Sequence, residues 1–257
     1  MIHYLALMEK VKNDKETGNG VVDALFGVGA HFGFVKSRRH PSAKPFIFGA
    51  KNKIEIFDLE KTSVELAKAI SFVETKGKEG SLVLFVGGKS EAREATIKAG
   101  KELQMPYVSG RWIGGTLSNF SEIKKRIMRL EELTLQRERG ELAKYTKKER
   151  LLIDREIDKL TLYFGGLSQL KFLPKLMIVM DPKKEHIAVT EARNMNIPVV
   201  ALAGSDSNLY ELDYAIPGND ASRQSIGFIM DKLVEAYKNG KEVAAKEAQE
   251  KEPEVKA

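Results

Sequence analysis

Five short apolar runs, each cut off by glycine, proline or a polar turn, most constrain what this chain can fold into. They are Leu82–Val86 (LVLFV), Pro106–Val108 (PYV), Leu176–Met180 (LMIVM), Pro198–Leu202 (PVVAL) and Asp213–Ile216 (DYAI). The longer ones show no polar alternation, which suits strands buried on both faces and not strands with one wet side. Between them lie stretches of helical character, Ser90–Leu103, Lys184–Met195 and Ala221–Tyr237. In the last, Ile226, Ile229, Leu233 and Ala236 recur at helical spacing. The alternation predicts an α/β fold with a mostly parallel sheet and helices on both faces. Ahead of it, Phe46–Phe48 and Ile54–Phe57 flank Gly49–Lys53 and read as a hairpin-like pair with a basic loop.

One segment, 119–164, interrupts the pattern. Phe120, Ile123, Ile127, Leu130 and Leu133, then Ile153, Ile157, Leu160 and Phe164, form two narrow apolar stripes at helical spacing. Asn119 before Glu122 and Thr146 before Glu149 have the form of capping boxes. Gly140 and Gly165 stand where helix ends favour a left-handed residue. The reading is an inserted antiparallel hairpin about 25–30 Å long, at ~1.5 Å per residue. Two ordinary core helices are the alternative. The expected organisation is an N-terminal extension over 1–19, an α/β body over 20–118 and 165–237, the hairpin over 119–164, and a tail over 238–257. The tail holds five Lys and five Glu with few large apolar groups, so it is expected to be disordered.

Composition excludes several classes. The chain has 257 residues and no Cys, which removes disulfide frameworks, thiol nucleophiles and thiolate metal sites. No window approaches ~20 uninterrupted apolar residues, so no membrane span is expected. Met1–Met8 lacks a basic leader and a cleavage site and does not read as a signal peptide. A net charge of +6 favours polyanionic partners, though only weakly as a total.

Loops at the carboxyl ends of parallel strands gather on one edge, where ligands of such folds bind. Here that edge carries Gly87, Gly88, Asp181, Asp206, Asn219 and Asp220, which supports a phosphate-ligand enzyme or sensor as one reading. The motifs oppose it. Gly88–Ser90 resembles the end of a phosphate loop, but the glycine required five positions before Gly88 is Val83. Gly27, Gly29 and Gly33 are one residue too far apart for a dinucleotide fingerprint. The four histidines, His3, His31, His40 and His186, show no metal-ligand spacing, and no serine sits in a nucleophile elbow. Asp181, Asp206 and Asp220 could together hold a hard cation or simply cap helices and turns. No catalytic residue, metal or cofactor is expected.

A denser constellation lies upstream. Residues 36–53 hold six cations, Lys36, Arg38, Arg39, Lys44, Lys51 and Lys53, and no acid. With Asn52 and the neighbouring phenylalanines, they suit a phosphate backbone with unpaired bases beside it. The bland reading is a solvated loop. Arg111 and Trp112 add a guanidinium and the one indole at the base of the hairpin, where Trp112 could equally be a core anchor. Lys124 and Lys125 are weaker candidates for such contacts, because hairpin charges often only face water.

The order and spacing of several motifs resemble the bacterial small-subunit ribosomal protein S-two family. They are Ala30–Gly33 (AHFG), Lys44–Gly49 (KPFIFG), Asn52, Asp58–Thr62 (DLEKT), Phe85–Gly87 (FVG) and Arg111–Asn119 (RWIGGTLSN). Gly165–Leu167 (GGL), His186–Ala188 (HIA), Asn196–Val199 (NIPV) and Ile216–Asp220 (IPGND) continue the series. The resemblance implies a Rossmann-like, flavodoxin-like body with an inserted coiled-coil hairpin, and a non-enzymatic, ribosome-bound, cytoplasmic protein. It also implies contact with small-subunit ribosomal RNA and neighbouring ribosomal proteins, including docking of ribosomal protein S-one. Three departures stand out: Phe34 where the family has His, Arg39–His40 where it has Trp-Asn, and Gly204–Asn208 (GSDSN) where it has Asp-Thr-Asn. They alter how the N-terminal loop meets its neighbour and thin the polar cluster at the sheet edge.

Overall fold

The computed structural model describes residues 20–250, so the expected 1–19 extension and residues 251–257 lie outside the described residues. Helix α1 (20–27) leads into a small antiparallel sheet of β1 (Phe32–Val35), β2 (Ile47–Lys51) and β3 (Ile54–Phe57), in the order β1-β3-β2. The hairpin-like pair is therefore present, and β1 is a third strand not read from the sequence. Helix α2 (Leu59–Lys78) follows, capped by Asp58, whose carboxylate accepts from the backbone N–H of Glu60 and Lys61. Its buried Leu59, Thr62, Leu66, Ala69, Val73 and Gly77 recur every three or four residues.

The body then alternates as expected: β4 (Val83–Val86), α3 (Ser90–Leu103), β5 (Tyr107–Val108), the inserted helices α4 (Phe120–Glu138) and α5 (Lys147–Phe164), β6 (Leu176–Met180), α6 (His186–Asn194), β7 (Val199–Ala203), β8 (Tyr214–Pro217) and α7 (Arg223–Glu250). The five body strands pair in parallel throughout, in the order β5-β4-β6-β7-β8. Counted within that sheet, this is the flavodoxin-like order 2-1-3-4-5. Both β6 and β7 are buried at all five positions. Val83, Phe85, Ile178 and Leu202 face a layer built from α2, α3 and α7, while Leu84, Val86, Met177 and Val179 face α6 and the inserted helices. Alternate residues thus serve opposite layers, which is why the runs are uninterruptedly apolar.

Helices α4 and α5 fold back on each other through a short 3-10 turn at Glu141–Lys144. Ile123, Ile127, Leu130 and Leu133 of α4 share one cluster with Ile157, Leu160 and Phe164 of α5, continuous with the body core. Thr146 and Glu149 form the expected capping box. Asn119 makes no side-chain cap, and Gly165 is right-handed (φ −56°) because a 3-10 turn continues directly through it; Gly140 is left-handed (φ 72°) as expected.

The tail is the main correction. Instead of becoming disordered at Lys238, the chain continues α7 to Glu250. Contact anchors the start of this extension, and beyond Gly240 the run of Lys, Glu, Ala and Gln is made of strong helix formers. A Cβ at Gly240 would collide with the Glu74 carbonyl, and one at Gly77 with the Tyr237 carbonyl. The two helices therefore meet backbone to backbone there, and α2 holds the first turn of the extension.

Candidate nucleic-acid interface

The turn between β2 and β3 is two residues long, with Asn52 (φ 53°) and Lys53 (φ 68°) both left-handed. Its hand matches the twist of the flanking strands. Lys51 lies opposite Ile54, Val35 pairs with Ile54 from the other side, and the Lys36 N–H donates to the Lys53 carbonyl at 3.2 Å. Lys36, Lys51, Asn52 and Lys53 are thereby gathered at one end of the small sheet. Arg38 sits beside them in a 3-10 turn (Lys36–Arg38), and Lys44 in a second such turn (Pro41–Phe46). All six side chains are exposed. Among the described residues, none of the five cations takes part in an ion pair.

Arg39 differs. Its guanidinium Nη1 meets Glu55 Oε1 at 3.0 Å, and Glu55 is 1% exposed. A buried carboxylate needs a counter-charge, so Arg39 serves the interior of the sheet more than its surface. The acid lies just outside the 36–53 window that looked acid-free. Trp112 is also drawn inward: it is buried and its indole N–H donates to Glu191 Oε1 at 3.3 Å. The core-anchor alternative holds for it, and no ring face is offered to a base. Arg111 beside it is exposed. Lys124 and Lys125 are exposed on α4, away from the sheet in sequence and in element, and Lys125 pairs with Glu122 at 2.6 Å.

Two residues that sequence reading did not single out organise the surroundings. Glu191 of α6 accepts from Gly115 N at 2.6 Å, Leu117 N at 2.9 Å and Ser118 N at 3.3 Å, so one buried carboxylate collects the loop that launches α4. At the switch point between β4 and β6, Lys89 Nζ meets Asp181 Oδ2 at 3.1 Å and Asp220 Oδ2 at 3.6 Å. Burial, reinforced by the Asp181 carboxylate, pushes Asp220 up to about 7. Burial pulls Lys89 down, but Asp220 and Asp181 outweigh it and hold the ammonium above the usual lysine value. Asp181 and Asp220 do meet, with a lysine between them where a cation would stand, whereas Asp206 pairs with Lys183 at 2.7 Å. No set of three acids or histidines suited to a metal occurs among the described residues. A lysine after a β4 glycine pair was visible in the sequence, but nothing there marked its partners.

The small sheet lies over this switch point. The Phe34 N–H donates to Ser205 Oγ at 2.9 Å, the His40 N–H to the Ser205 carbonyl at 2.9 Å, and Leu209 N–H to Ser42 Oγ at 2.9 Å. Arg38 and Lys89 each lie over the Phe34 ring, at 5.9 Å and 5.8 Å from its centroid. A Cβ at Gly204 would lie 2.9 Å from that ring, and one at Gly88 would meet the Gly110 carbonyl. The crevice that binds ligands in other folds of this strand order is filled here by the chain's own Phe34 and Lys89.

Comparison with known proteins agrees with this architecture. The family described as Ribosomal protein S2 matches residues 25–240. The chain belongs to the ribosomal protein S2 family. Relatives named "Small ribosomal subunit protein uS2" include one from a Nitratiruptor species, 40% identical over 233 residues, which cover 91% of this chain and 87% of the relative. Another, from Coprothermobacter proteolyticus, is 41% identical over 218 residues, 85% and 81% of the two chains. A third, from a Roseiflexus species, is 42% identical over 217 residues, 84% and 83%. Several S2 motifs meet in space: Asn219 donates from both its backbone and its side chain to the carbonyls of Ala30 and Gly29, each at 2.9 Å, and Thr62 Oγ1 donates to the Pro217 carbonyl at 2.8 Å. No described helix is long and apolar enough to cross a membrane.

Proposed function

We propose that this chain is a non-catalytic, ribosomal-RNA-binding constituent of the small ribosomal subunit, working in cytoplasmic translation and contributing to subunit assembly. One observation carries the reading: a member of the S2 family presents Lys36, Arg38, Lys44, Lys51 and Lys53 exposed and without ion-pair partners among the described residues. Cations left unneutralised by the protein are available to release counterions from phosphates. Arg111, Lys124 and Lys125 are secondary contacts along the hairpin. Docking of ribosomal protein S-one belongs to the same reading through the family. The departures at Phe34 and Arg39 bear on it, since both side chains are engaged internally and present little to a partner. A phosphate ligand at the sheet edge is disfavoured by the packing of Phe34 and Lys89 into that crevice.

The test is sucrose-gradient fractionation of cells expressing a tagged chain. The wild type is expected with small subunits, and an Arg38→Glu, Lys51→Glu variant at reduced occupancy and lower salt resistance. Migration of the wild type at the top of the gradient, or unchanged behaviour of the variant, would overturn the proposal.

A further inference from the structure

We infer that the outward face of the small sheet is a platform for single-stranded RNA, with unpaired bases stacking on its aromatics while phosphates follow its cationic rim. This rests on the RNA-binding reading above and specifies the form of RNA. Strand β3 alternates: Glu55 and Phe57 are buried, while Ile54 and Ile56 face outward. Register places Phe32 opposite Ile56 and Val35 opposite Ile54, so the four form one apolar face. Phe48, at the bulge of β2, is 81% exposed. Beside the face, three rings adjoin in sequence: Phe26 stacks on His31 at 4.5 Å, and His31 meets Phe32 at 4.0 Å with the rings tilted by 40°. The outer members, Phe26 and Phe32, are 63% and 49% exposed.

Contiguous exposed apolar surface of this kind marks an interaction site, and charge decides the partner. Residues 24–54 contain no Asp or Glu, and Lys36, Arg38, Lys51 and Lys53 border the face without ion-pair partners among the described residues. On α4 the contrast is plain, because Lys125 and Arg129 are matched by Glu122 and Glu132. An apolar protein partner would leave the cationic rim unused. A duplex would use only the rim, since its base faces are hidden. A single strand uses both features: π-faces for the phenylalanines and phosphates for the lysines.

The experiment measures binding of the full chain to a 5-iodouridine-containing U12 oligonucleotide and to a blunt RNA duplex by anisotropy at several salt concentrations, followed by photocrosslinking and mass spectrometry. U12 is expected to bind more tightly than the duplex, with crosslinks at Phe26, Phe32 or Phe48. Phe48→Ala should weaken U12 binding about five- to 150-fold, the range for one lost base stack, with an unchanged salt slope, and Phe48→Tyr should restore it. Equal or tighter duplex binding, unchanged affinity of Phe48→Ala, crosslinks confined elsewhere, or equally effective competition by an acidic peptide would each overturn the inference. Occupancy of small subunits is followed in parallel. Retained occupancy alongside failed U12 binding sinks the base-stacking platform alone, whereas lost occupancy of the Arg38→Glu, Lys51→Glu variant continues to support the broader RNA reading.

Discussion

The indole N–H of Trp112 donates to the buried carboxylate of Glu191 at 3.3 Å, joining the foot of the inserted helices to α6 across 79 positions of sequence. The same carboxylate satisfies three backbone N–H groups of the Gly115–Ser118 turn. Glu191→Ala would strand the buried Trp112 and Leu117 donors, each costing about 1–3 kcal/mol if nothing replaces the carboxylate, while the half-buried Gly115 and exposed Ser118 N–H groups can turn to water. A loss of about 2–6 kcal/mol in urea unfolding is expected. Because Trp112 is the one Trp of the chain, its fluorescence reports this contact directly and should shift to the red in the variant.

Lys89 stands between Asp181 and Asp220, with all three side chains largely buried. Removing one member of a buried ionic group typically costs about 3–5 kcal/mol, because an uncompensated charge remains. Lys89→Met should approach that loss in chemical denaturation. Adding Asp220→Asn should recover part of it, since one of the two stranded carboxylates is then gone. A strictly additive pair of losses would contradict the coupling.

Asp220 gives the stability a pH dependence of definite sign. Its folded pKa, about 7, lies above the unfolded value of 3.8, because burial and the nearby Asp181 penalise its charge. Between those values the native state holds the proton that the unfolded state releases. Stability from this group therefore falls as pH rises from about 4 to about 7, with a limiting slope of about 1.4 kcal/mol per pH unit. Above 7 the penalty is fully present and the slope vanishes. Asp220→Asn should flatten this limb in unfolding curves measured across that range.

Gly240 tests the extension of α7. Its Cα hydrogen faces the Glu74 carbonyl, where a Cβ has no room. Gly240→Val should separate the two helices there and cost about 1–3 kcal/mol. Amide exchange over 238–247 should accelerate in the variant and be slow in the wild type. Fast exchange in the wild type would contradict the helical extension.

The salt dependence of the proposed RNA binding should follow the cations that have no ion-pair partner among the described residues. Replacing Lys51 and Lys53 with Gln would remove two of the proposed phosphate contacts and should lower the slope of log Kd against log salt by about 1.4–1.8. The same exchange at Lys125, which pairs with Glu122, should change the slope less.

Strands β4, β6 and β7 were legible because burial on both faces writes itself as an apolar run, and the stripes of α4 and α5 because one buried face writes itself as helical spacing. Strand β1 was not legible. Phe32–Val35 has no period-two pattern, and its register slips between Phe32 and Val35. Helix α7 beyond Tyr237 was not legible for the opposite reason: its sequence is charged and poor in large apolar groups, yet a glycine contact with α2 anchors it at Gly240 and good helix formers carry it on. Among the interface candidates, Lys36, Lys51, Asn52 and Lys53 stood close in sequence and remained close in space. Arg39 and Trp112 were taken inward by acids that lie 16 and 79 residues away.

By itself the sequence determined the α/β class, the inserted helical pair, the absence of thiol chemistry and the clustering of cations in 36–53. Each follows from residue type or from a local period, and none needs a distant partner to be read. Only the tertiary structure decided which cations remain free, that a lysine and a phenylalanine fill the crevice at the strand ends, and that the last helix runs on past Tyr237. Those outcomes depend on which buried charge finds which counter-charge and where backbones can touch, and both are settled by residues far apart in the chain.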